Sequence, residues 1–126
     1  MNSPLGTEGN AGAFGGVSES LRKKGVPPII TTDGPAGIRL ARYATLMPCG
    51  TCLASTWNDE LVQRLTSAIA AEMKVLGSDA LLAPGMNVHR NPLCGRNFEY
   101  FSEDPFLAGE LGYEYVTALQ KRGVGT

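Results

Sequence analysis

Two short apolar runs, each closed by turn residues and followed by a long irregular segment, constrain this chain most. The first run, Val26-Pro-Pro-Ile-Ile-Thr-Thr32, ends at Asp33-Gly-Pro. The second, Ala80-Leu-Leu-Ala83, ends at Pro84-Gly85. Neither run alternates apolar with polar residues, and such continuous runs are typical of strands in a parallel sheet covered by helices. The sequence therefore predicts an α/β fold.

The first predicted helix lies between the two runs. Thr56 or Asn58 can cap it, Asp59 and Glu60 favour its positive N-terminus, and Gly77 ends it. Its apolar side chains recur at four- and three-residue steps, as expected for one buried face: Leu61, Leu65, Ile69, Met73 and Leu76.

The second predicted helix begins after Asp104 as its cap, with Pro105 in the first helical position. Gly109 and Gly112 each cost about 1 kcal/mol relative to Ala inside a helix, which close approach of a neighbouring element could offset. Lys121-Arg122-Gly123 ends the helix with the charge that its dipole favours. The predicted buried stripe consists of Leu107, Leu111, Tyr115 and Leu119.

The irregular segments, residues 34–56 and 86–103, both follow the carboxyl end of a predicted strand, whereas the return turn Gly77-Ser78-Asp79 is short. This asymmetry is typical of an α/β barrel, whose sites lie on the loops at one face. A doubly wound sheet also binds ligands at strand ends, but no glycine-rich turn leads straight into a helix here. A (β/α)8 TIM-type barrel needs eight strands and about 250 residues, so this chain supplies about two βα units of an incomplete barrel.

Charge and hydropathy exclude several partners. Eleven Lys and Arg residues against twelve Asp and Glu give a net charge of -1, so no basic field for nucleic acid is expected. No apolar run approaches the roughly 20 residues of a membrane helix. The first ten residues resemble no leader peptide, which makes a cytoplasmic location the expectation.

Cys49-Gly-Thr-Cys52 has the spacing of a redox pair. A redox cysteine is activated where it opens a helix, but Pro48 precedes this pair and the expected helix cap lies several residues later. Two ordinary buried or loop thiols are therefore the favoured interpretation. Cys94 and His89 lie in a different segment and complete no zinc site.

Charged residues in the two irregular segments are the candidates for ligand binding. Asp33 directly follows a strand, where a barrel holds its functional groups. A structural ion pair between Asp33 and an arginine is one explanation. Recognition of a polyhydroxylated ligand is the other, since carboxylates accept hydrogen bonds from hydroxyl groups and guanidinium groups donate them in a fork. A phosphate site is less favoured, because no glycine-rich loop opens a helix. The arginines concerned are Arg39, Arg90 and Arg96.

Four further residues have simple structural explanations. We expect His89 to bond the backbone rather than act as a base, and Glu99 to pair with a neighbouring arginine or backbone amide. Asp104 is expected to be a helix cap. Trp57 is expected to pack against the barrel rather than stack on a sugar.

Three longer motifs carry a specific pattern. They are Thr32-Asp-Gly-Pro-Ala-Gly-Ile-Arg39, Leu53-Ala-Ser-Thr-Trp-Asn58 and the segment that includes Met86-Asn-Val-His-Arg-Asn-Pro-Leu-Cys-Gly-Arg-Asn-Phe-Glu-Tyr-Phe-Ser-Glu-Asp-Pro105. Together they resemble the N-terminal barrel domain of glycoside hydrolase family 3, the β-glucosidases. The resemblance covers residues 16–126 as a partial barrel domain and leaves residues 1–15 as an irregular N-terminal segment.

The resemblance implies a retaining β-glucosidase that hydrolyses terminal β-D-glucosyl residues of a small-molecule β-glucoside or oligosaccharide. In the family, the aspartate of Asp-Gly-Pro, the arginine closing that motif and the arginine of Cys-Gly-Arg-Asn-Phe-Glu line the sugar site at subsite -1. Carried over, these substrate-binding residues are Asp33, Arg39 and Arg96. The family's chemistry needs neither a metal nor an organic cofactor.

The resemblance also implies which groups lie elsewhere. The nucleophile, an aspartate in a Ser-Asp-Trp-like motif, and the acid/base, a glutamate in a following domain, are expected downstream, as is a sugar-binding Lys-His pair. Ser78-Asp79 precedes a strand and so lies at the opposite face. The isolated chain is predicted to be inactive, with the missing remainder of the barrel, on the same or another chain, as its partner. Alternatives are a non-catalytic complementing or sugar-binding fragment and, less favoured, a thiol redox module at Cys49 and Cys52.

Overall fold

A computed structural model describes residues 12–14, 17–39 and 43–126. Two long helices pack against each other and share a buried core with Leu81 of the small sheet. In chain order the elements are β1 (Gly12–Phe14), α1 (Glu19–Lys23), β2 (Ile29–Asp33), α2 (Gly50–Ala54), α3 (Asp59–Leu76), β3 (Ala80–Leu82), a 3-10 turn (Asn97–Glu99) and α4 (Pro105–Gln120).

The two predicted strands pair in parallel. β2 lies beside β3 with Thr31 opposite Ala80 and Asp33 opposite Leu82, so their carboxyl ends meet at one edge of the sheet. β1 adds an antiparallel strand on the other side of β2. The expectation of an irregular segment was therefore wrong for residues 12–14. These residues form a strand because their backbone groups bond to β2, and a pattern of three residues cannot reveal such a distant pairing.

The last residues of the chain continue the sheet beyond β3. Gly125 pairs with Ala80 in parallel, its amide donating to the Asp79 carbonyl at 2.8 Å and its carbonyl accepting from the Leu81 amide at 2.9 Å. Val124 is buried against the core. This segment occupies the position of the next strand in a βα series.

α3 begins and ends where its sequence predicts. The Asn58 side chain accepts a hydrogen bond from the Leu61 amide at 2.9 Å, and Gly77 ends the helix in the left-handed conformation (φ 71°). The buried face is shifted from the predicted stripe, because Leu61, Leu65 and Leu76 are only half-buried. Its fully buried members are Val62, Thr66, Ile69, Ala70 and Met73.

α4 packs along α3, and the contact between the two helices forms much of the core. The Asp104 carboxylate caps the helix by accepting from the Phe106 amide at 2.9 Å, and Pro105 occupies its first position, as predicted. Of the predicted stripe, Leu111, Tyr115 and Leu119 are buried and Leu107 is half-buried. No helix in the described part of the chain is both long and apolar enough to span a bilayer.

The two glycines inside α4 have different surroundings, which predicts different responses to alanine. A Cβ on Gly112 would lie 2.6 Å from Met86 Sδ, whereas a Cβ on Gly109 would meet no atom within 4 Å. We expect Gly109→Ala to raise the free energy of unfolding by about 1 kcal/mol. Gly112→Ala should gain less, since Met86 must move. Urea denaturation followed by circular dichroism measures both, and equal gains would contradict the close approach at Gly112.

The Tyr115 side chain is buried in the core against Phe101, and its hydroxyl group has no hydrogen-bond partner among the described residues. Burial raises the pKa of Tyr115 above its ordinary range. The folded chain therefore keeps this proton at pH values where the unfolded chain loses it. The contribution of Tyr115 to the free energy of unfolding is fully present below pH about 10, the pKa of tyrosine in the unfolded chain. This contribution declines as the pH rises further.

Replacing Tyr115 by Phe is expected to remove this pH dependence. The variant should lose less stability than the wild type between pH 9 and pH 11, while at pH 7 its free energy of unfolding should change by no more than about 1 kcal/mol, because the lost hydroxyl group is unpaired. Urea denaturation at each pH provides the measurement. Parallel pH profiles for the two proteins would show that Tyr115 is not the group responsible.

Candidate functional site

Asp33 stands at the carboxyl end of β2 and is the centre of the candidate site. Its backbone carbonyl accepts from the Arg39 amide at 2.8 Å, and its Oδ2 lies 3.5 Å from Arg39 Nη1. The segment between them thus folds back on itself and returns the arginine to the strand end. Both side chains reach solvent, the carboxylate half-exposed and the guanidinium more so, so each remains accessible to a ligand.

Two glycines allow this return. A Cβ on Gly34 would lie 1.9 Å from the Gly37 carbonyl oxygen, and one on Gly37 would lie 2.3 Å from the Thr45 carbonyl oxygen. Gly37 also has a φ of 101°, a backbone conformation that residues other than glycine rarely adopt. Glycine at positions 34 and 37 is therefore required by the close packing of the backbone around the strand end.

A cavity of about 300 Å³ opens beside this turn. Asp33 and Arg39 form its polar part, and the apolar wall includes Phe98, whose side chain is 59% exposed. The buried Glu99 is a further charged residue at its lining. The remaining lining residues are Gly34, Pro35, Ala36, Gly37, Ile38, Ala44, Thr45 and Leu46.

Arg96 lies next to this cavity, because it is tied to Glu99 by a short ion pair between its Nε and Glu99 Oε1. The Glu99 carboxylate raises the pKa of Arg96, first through this hydrogen bond and then through its charge, and Asp33 adds a smaller contribution of the same sign. The guanidinium group of Arg96 therefore interacts electrostatically with both Glu99 and Asp33, while its side chain stays largely exposed.

The backbone that carries Arg96 and Glu99 is held by two further glycines. A Cβ on Gly50, at the start of α2, would lie 2.3 Å from the Glu99 carbonyl oxygen, and one on Gly85 would lie 2.7 Å from the same atom. Gly85 also bridges to Tyr100. The 3-10 turn is thus enclosed between α2 and the loop that follows β3.

Thr51 strengthens this enclosure from α2. Its hydroxyl oxygen lies 2.9 to 3.1 Å from three backbone carbonyls, and its single proton can be donated to any of them. These carbonyls belong to Asn97, Phe98 and Tyr100. The side chain therefore fixes the turn that presents Arg96 and Glu99.

The structure brings only some of the predicted charged residues together. Asp33 and Arg39 share the cavity, and Arg96 adjoins it through Glu99. Arg90 lines a separate cavity of about 460 Å³ formed by the loop after β3. Sequence reasoning did not assign Phe98 to the cavity, because a single aromatic residue in a polar loop gives no periodic signal.

Several residues outside the cavity test other predictions. His89 Nε2 lies 3.1 Å from the Tyr100 carbonyl, which confirms the backbone bond. Asp79 accepts from the Ile30 amide at 2.7 Å, at the opposite end of the strands from Asp33. Trp57 is 73% exposed, so the expected packing of this side chain against the barrel is not provided by the described residues. It lies between the caps of α2 and α3, where its φ of 51° turns the backbone.

The cysteine pair also departs from expectation. Cys49 occupies the N-cap position of α2 without a side-chain capping hydrogen bond and is half-buried, whereas Cys52 is exposed within this short helix, which begins where none was predicted. All three cysteines are free. The described residues contain no group of three or more His, Cys, Asp or Glu side chains that could hold a metal ion.

Comparison with known proteins agrees with this arrangement of strand ends and loops. The model of the Glycosyl hydrolase family 3 N terminal domain matches residues 9–126. The chain belongs to glycosyl hydrolase family 3. A β-glucosidase of Ruminococcus albus is 47% identical over 126 residues, covering 98% of this chain and 13% of the relative. Thermostable β-glucosidase B of Acetivibrio thermocellus is 41% identical, covering 86% of this chain and 16% of that protein.

Solved structures of the family share the fold. A β-glucosidase from Paenibacillus barengoltzii superposes with a TM-score of 0.93 at 47% identity, covering 99% of this chain and 14% of that one. β-Glucosidase 3B from Thermotoga neapolitana, in complex with glucose, gives 0.85 at 46% identity, covering 93% and 17%. The predicted incomplete α/β barrel is confirmed. The chain spans 13–16% of the length of the curated relatives it matches.

Proposed function

We propose that this family 3 chain supplies part of the glycone subsite of a retaining β-glucosidase that hydrolyses terminal β-D-glucosyl residues. The observation that carries the proposal is that Asp33, Arg39 and Glu99 line one cavity at the carboxyl end of β2, with Arg96 paired to Glu99. The glucose complex of the Thermotoga neapolitana relative supports a sugar as the ligand of such a chain.

The chemistry of these groups suits a ring bearing several hydroxyl groups. The half-exposed Asp33 carboxylate can accept two charge-assisted hydrogen bonds from neighbouring hydroxyl groups. The Arg39 and Arg96 guanidinium groups can each donate a fork of two. The exposed ring of Phe98 offers an apolar surface beside them. Together the groups fix the orientation of the ring as well as its identity.

The bond-breaking carboxyl groups are proposed to lie outside residues 1–126. A retaining glycosidase needs a nucleophile and an acid/base about 5–5.5 Å apart. The two carboxylates that line the cavity, Asp33 and Glu99, are each paired with an arginine. These pairings suit binding and leave neither group as an unpaired nucleophile. The remainder of the barrel, on the same chain or another, is the proposed source of both catalytic groups.

The isolated chain of 126 residues is therefore expected not to hydrolyse an aryl β-glucoside. Release of the aryl alcohol, followed by absorbance, provides the measurement, with the full-length Paenibacillus barengoltzii enzyme as the positive control. Turnover by the isolated chain that disappears in Asp33→Asn would contradict the proposal, because it would place the complete machinery within these residues.

The proposal itself is tested in a chimera. In this chimera the present chain replaces the matching segment of the Paenibacillus barengoltzii enzyme, a substitution favoured by the 47% identity over 99% of the chain. We expect the chimera to hydrolyse an aryl β-glucoside and to be inhibited competitively by glucose. An active chimera that tolerates removal of the Asp33 carboxylate would contradict the assignment of the subsite.

A non-catalytic role as a complementing fragment is the second candidate. Ile29 and Leu82 leave 48% and 50% of their surfaces exposed on the sheet, where neighbouring elements of a barrel would cover them. This role predicts that the chain co-purifies with a Paenibacillus barengoltzii enzyme from which the matching segment has been deleted. Restored activity in that pair would favour complementation, and separate elution would exclude it.

A further inference from the structure

One carboxylate that does not itself line the cavity is hydrogen-bonded to its wall. Glu72 lies four residues before the end of α3, and its Oε1 accepts from the Thr45 amide at 3.0 Å and from the Thr45 hydroxyl group at 3.2 Å. Thr45 is itself a lining residue. Glu72 is therefore the point at which a rigid helix holds the irregular segment that forms one side of the cavity.

The wall held in this way is continuous with the turn that carries Asp33 and Arg39. The Thr45 carbonyl fits against Gly37 so closely that a Cβ there would lie 2.3 Å away. Two residues later, the Met47 amide donates to the Ala36 carbonyl at 2.9 Å. A displacement of Thr45 would thus be transmitted to the turn between the two ligand-binding side chains.

The second oxygen of Glu72 takes no part in these bonds. Oε2 is buried and has no hydrogen-bond partner among the described residues. An uncompensated buried carboxylate oxygen is costly. Both hydrogen bonds from Thr45 need only an acceptor at the position of Oε1, which a glutamine side-chain carbonyl also provides.

We propose that Glu72 is a positioning residue for the glycone subsite, holding the 43–47 segment through Thr45 so that the cavity keeps the shape that admits the sugar ring. The inference rests on the proposed function. Glu72 does not itself line the cavity, and it acts through Thr45 on the turn that carries Asp33 and Arg39.

Kinetics of the chimera separate this role from a general effect on folding. We expect Glu72→Ala to raise KM for an aryl β-glucoside about fivefold to tenfold with a smaller change in kcat, because loss of one or two hydrogen bonds is worth about 1 kcal/mol or slightly more. Glu72→Gln should stay within about twofold of the parent, since it keeps the acceptor. Glu110→Ala, which removes an exposed carboxylate from α4, is the matched control.

A second measurement uses the 126-residue chain and needs no activity. In Glu72→Ala, hydrogen exchange at the Thr45 amide should accelerate by about tenfold relative to the wild type, while Glu72→Gln should retain the protection. Thr45→Val, which removes only the hydroxyl donor, is the milder variant if Glu72→Ala fails to fold. Its KM in the chimera should rise by about twofold to threefold.

The outcomes distinguish this inference from the function on which it rests. Unchanged KM and unchanged Thr45 exchange in Glu72→Ala, with activity lost in Asp33→Asn, would overturn the positioning role alone. Equal loss in Glu72→Ala and Glu72→Gln would also overturn it, because the charge rather than the acceptor would then matter. Full activity in Asp33→Asn would overturn the proposed function first.

Discussion

Asp33→Asn in the chimera is expected to lower kcat/KM for an aryl β-glucoside by about 100-fold. Two charge-assisted hydrogen bonds to sugar hydroxyl groups are each worth about 1.5 kcal/mol or more, and an amide replaces one of the two acceptor oxygens by a donor. The change also leaves Arg39 without its carboxylate partner. Steady-state kinetics of the parent and variant chimeras, with folding checked by circular dichroism, provide the comparison.

The matched control for this experiment is Asp59→Asn. Asp59 is an exposed carboxylate in the first turn of α3, so the same chemical change there should cost only a few tenths of a kcal/mol of helix stability and leave kcat/KM unchanged. A comparable loss of activity in both variants would indicate a nonspecific effect of charge. Retention of activity in Asp33→Asn would remove this residue from the site.

Gly50→Ala is expected to lower the free energy of unfolding by about 3 kcal/mol. The added Cβ would lie 2.3 Å from the Glu99 carbonyl oxygen, which is backbone and cannot move aside as a flexible side chain can. Either α2 or the 3-10 turn must shift, and the turn carries both Arg96 and Glu99. Urea denaturation of the isolated chain measures the loss, and the chimera should lose sugar binding in parallel.

Gly95→Ala is the control for Gly50→Ala. Gly95 lies in the loop that leads into the 3-10 turn, immediately before Arg96, and a Cβ there would meet no atom within 4 Å. Its free energy of unfolding should stay within about 0.5 kcal/mol of the wild type. If Gly50→Ala were as stable as Gly95→Ala, the close packing of α2 on the turn would be contradicted.

Local chemistry was sufficient to predict the two long helices, α3 and α4, and the parallel pairing of β2 with β3. The caps Asn58 and Asp104 and the stop at Gly77 act through groups only a few residues away, so the sequence pattern contains the whole interaction. The parallel pairing of β2 and β3 followed from continuous apolar runs separated by a helix. The position of Asp33 at a strand end needed no further information.

Features that depend on contacts between distant segments could not be predicted. α2 is only five residues long, and its place is fixed by Gly50 and Thr51 packing against a turn almost fifty residues later. The exposure of Trp57 and the shifted buried face of α3 likewise depend on which neighbours the fold supplies.

The candidate site likewise contains residues that a local motif predicts and residues that depend on contacts with distant segments. Asp33 and Arg39 lie six residues apart and were recognised together from one motif, and the structure places both at one cavity. The role of Glu99 in holding Arg96 beside that cavity was expected only as a generic pairing. Glu72 gave no signal at all, because its partner Thr45 lies 27 residues away in an irregular segment.

A crystal structure of the chimera soaked with glucose tests the assignment of the glycone subsite. We expect one sugar ring in the cavity, with the Asp33 carboxylate and the guanidinium groups of Arg39 and Arg96 each about 2.7–3.2 Å from hydroxyl groups of that ring. Glucose bound in the chimera with any two of these three side chains out of hydrogen-bonding reach would show that they do not form this subsite.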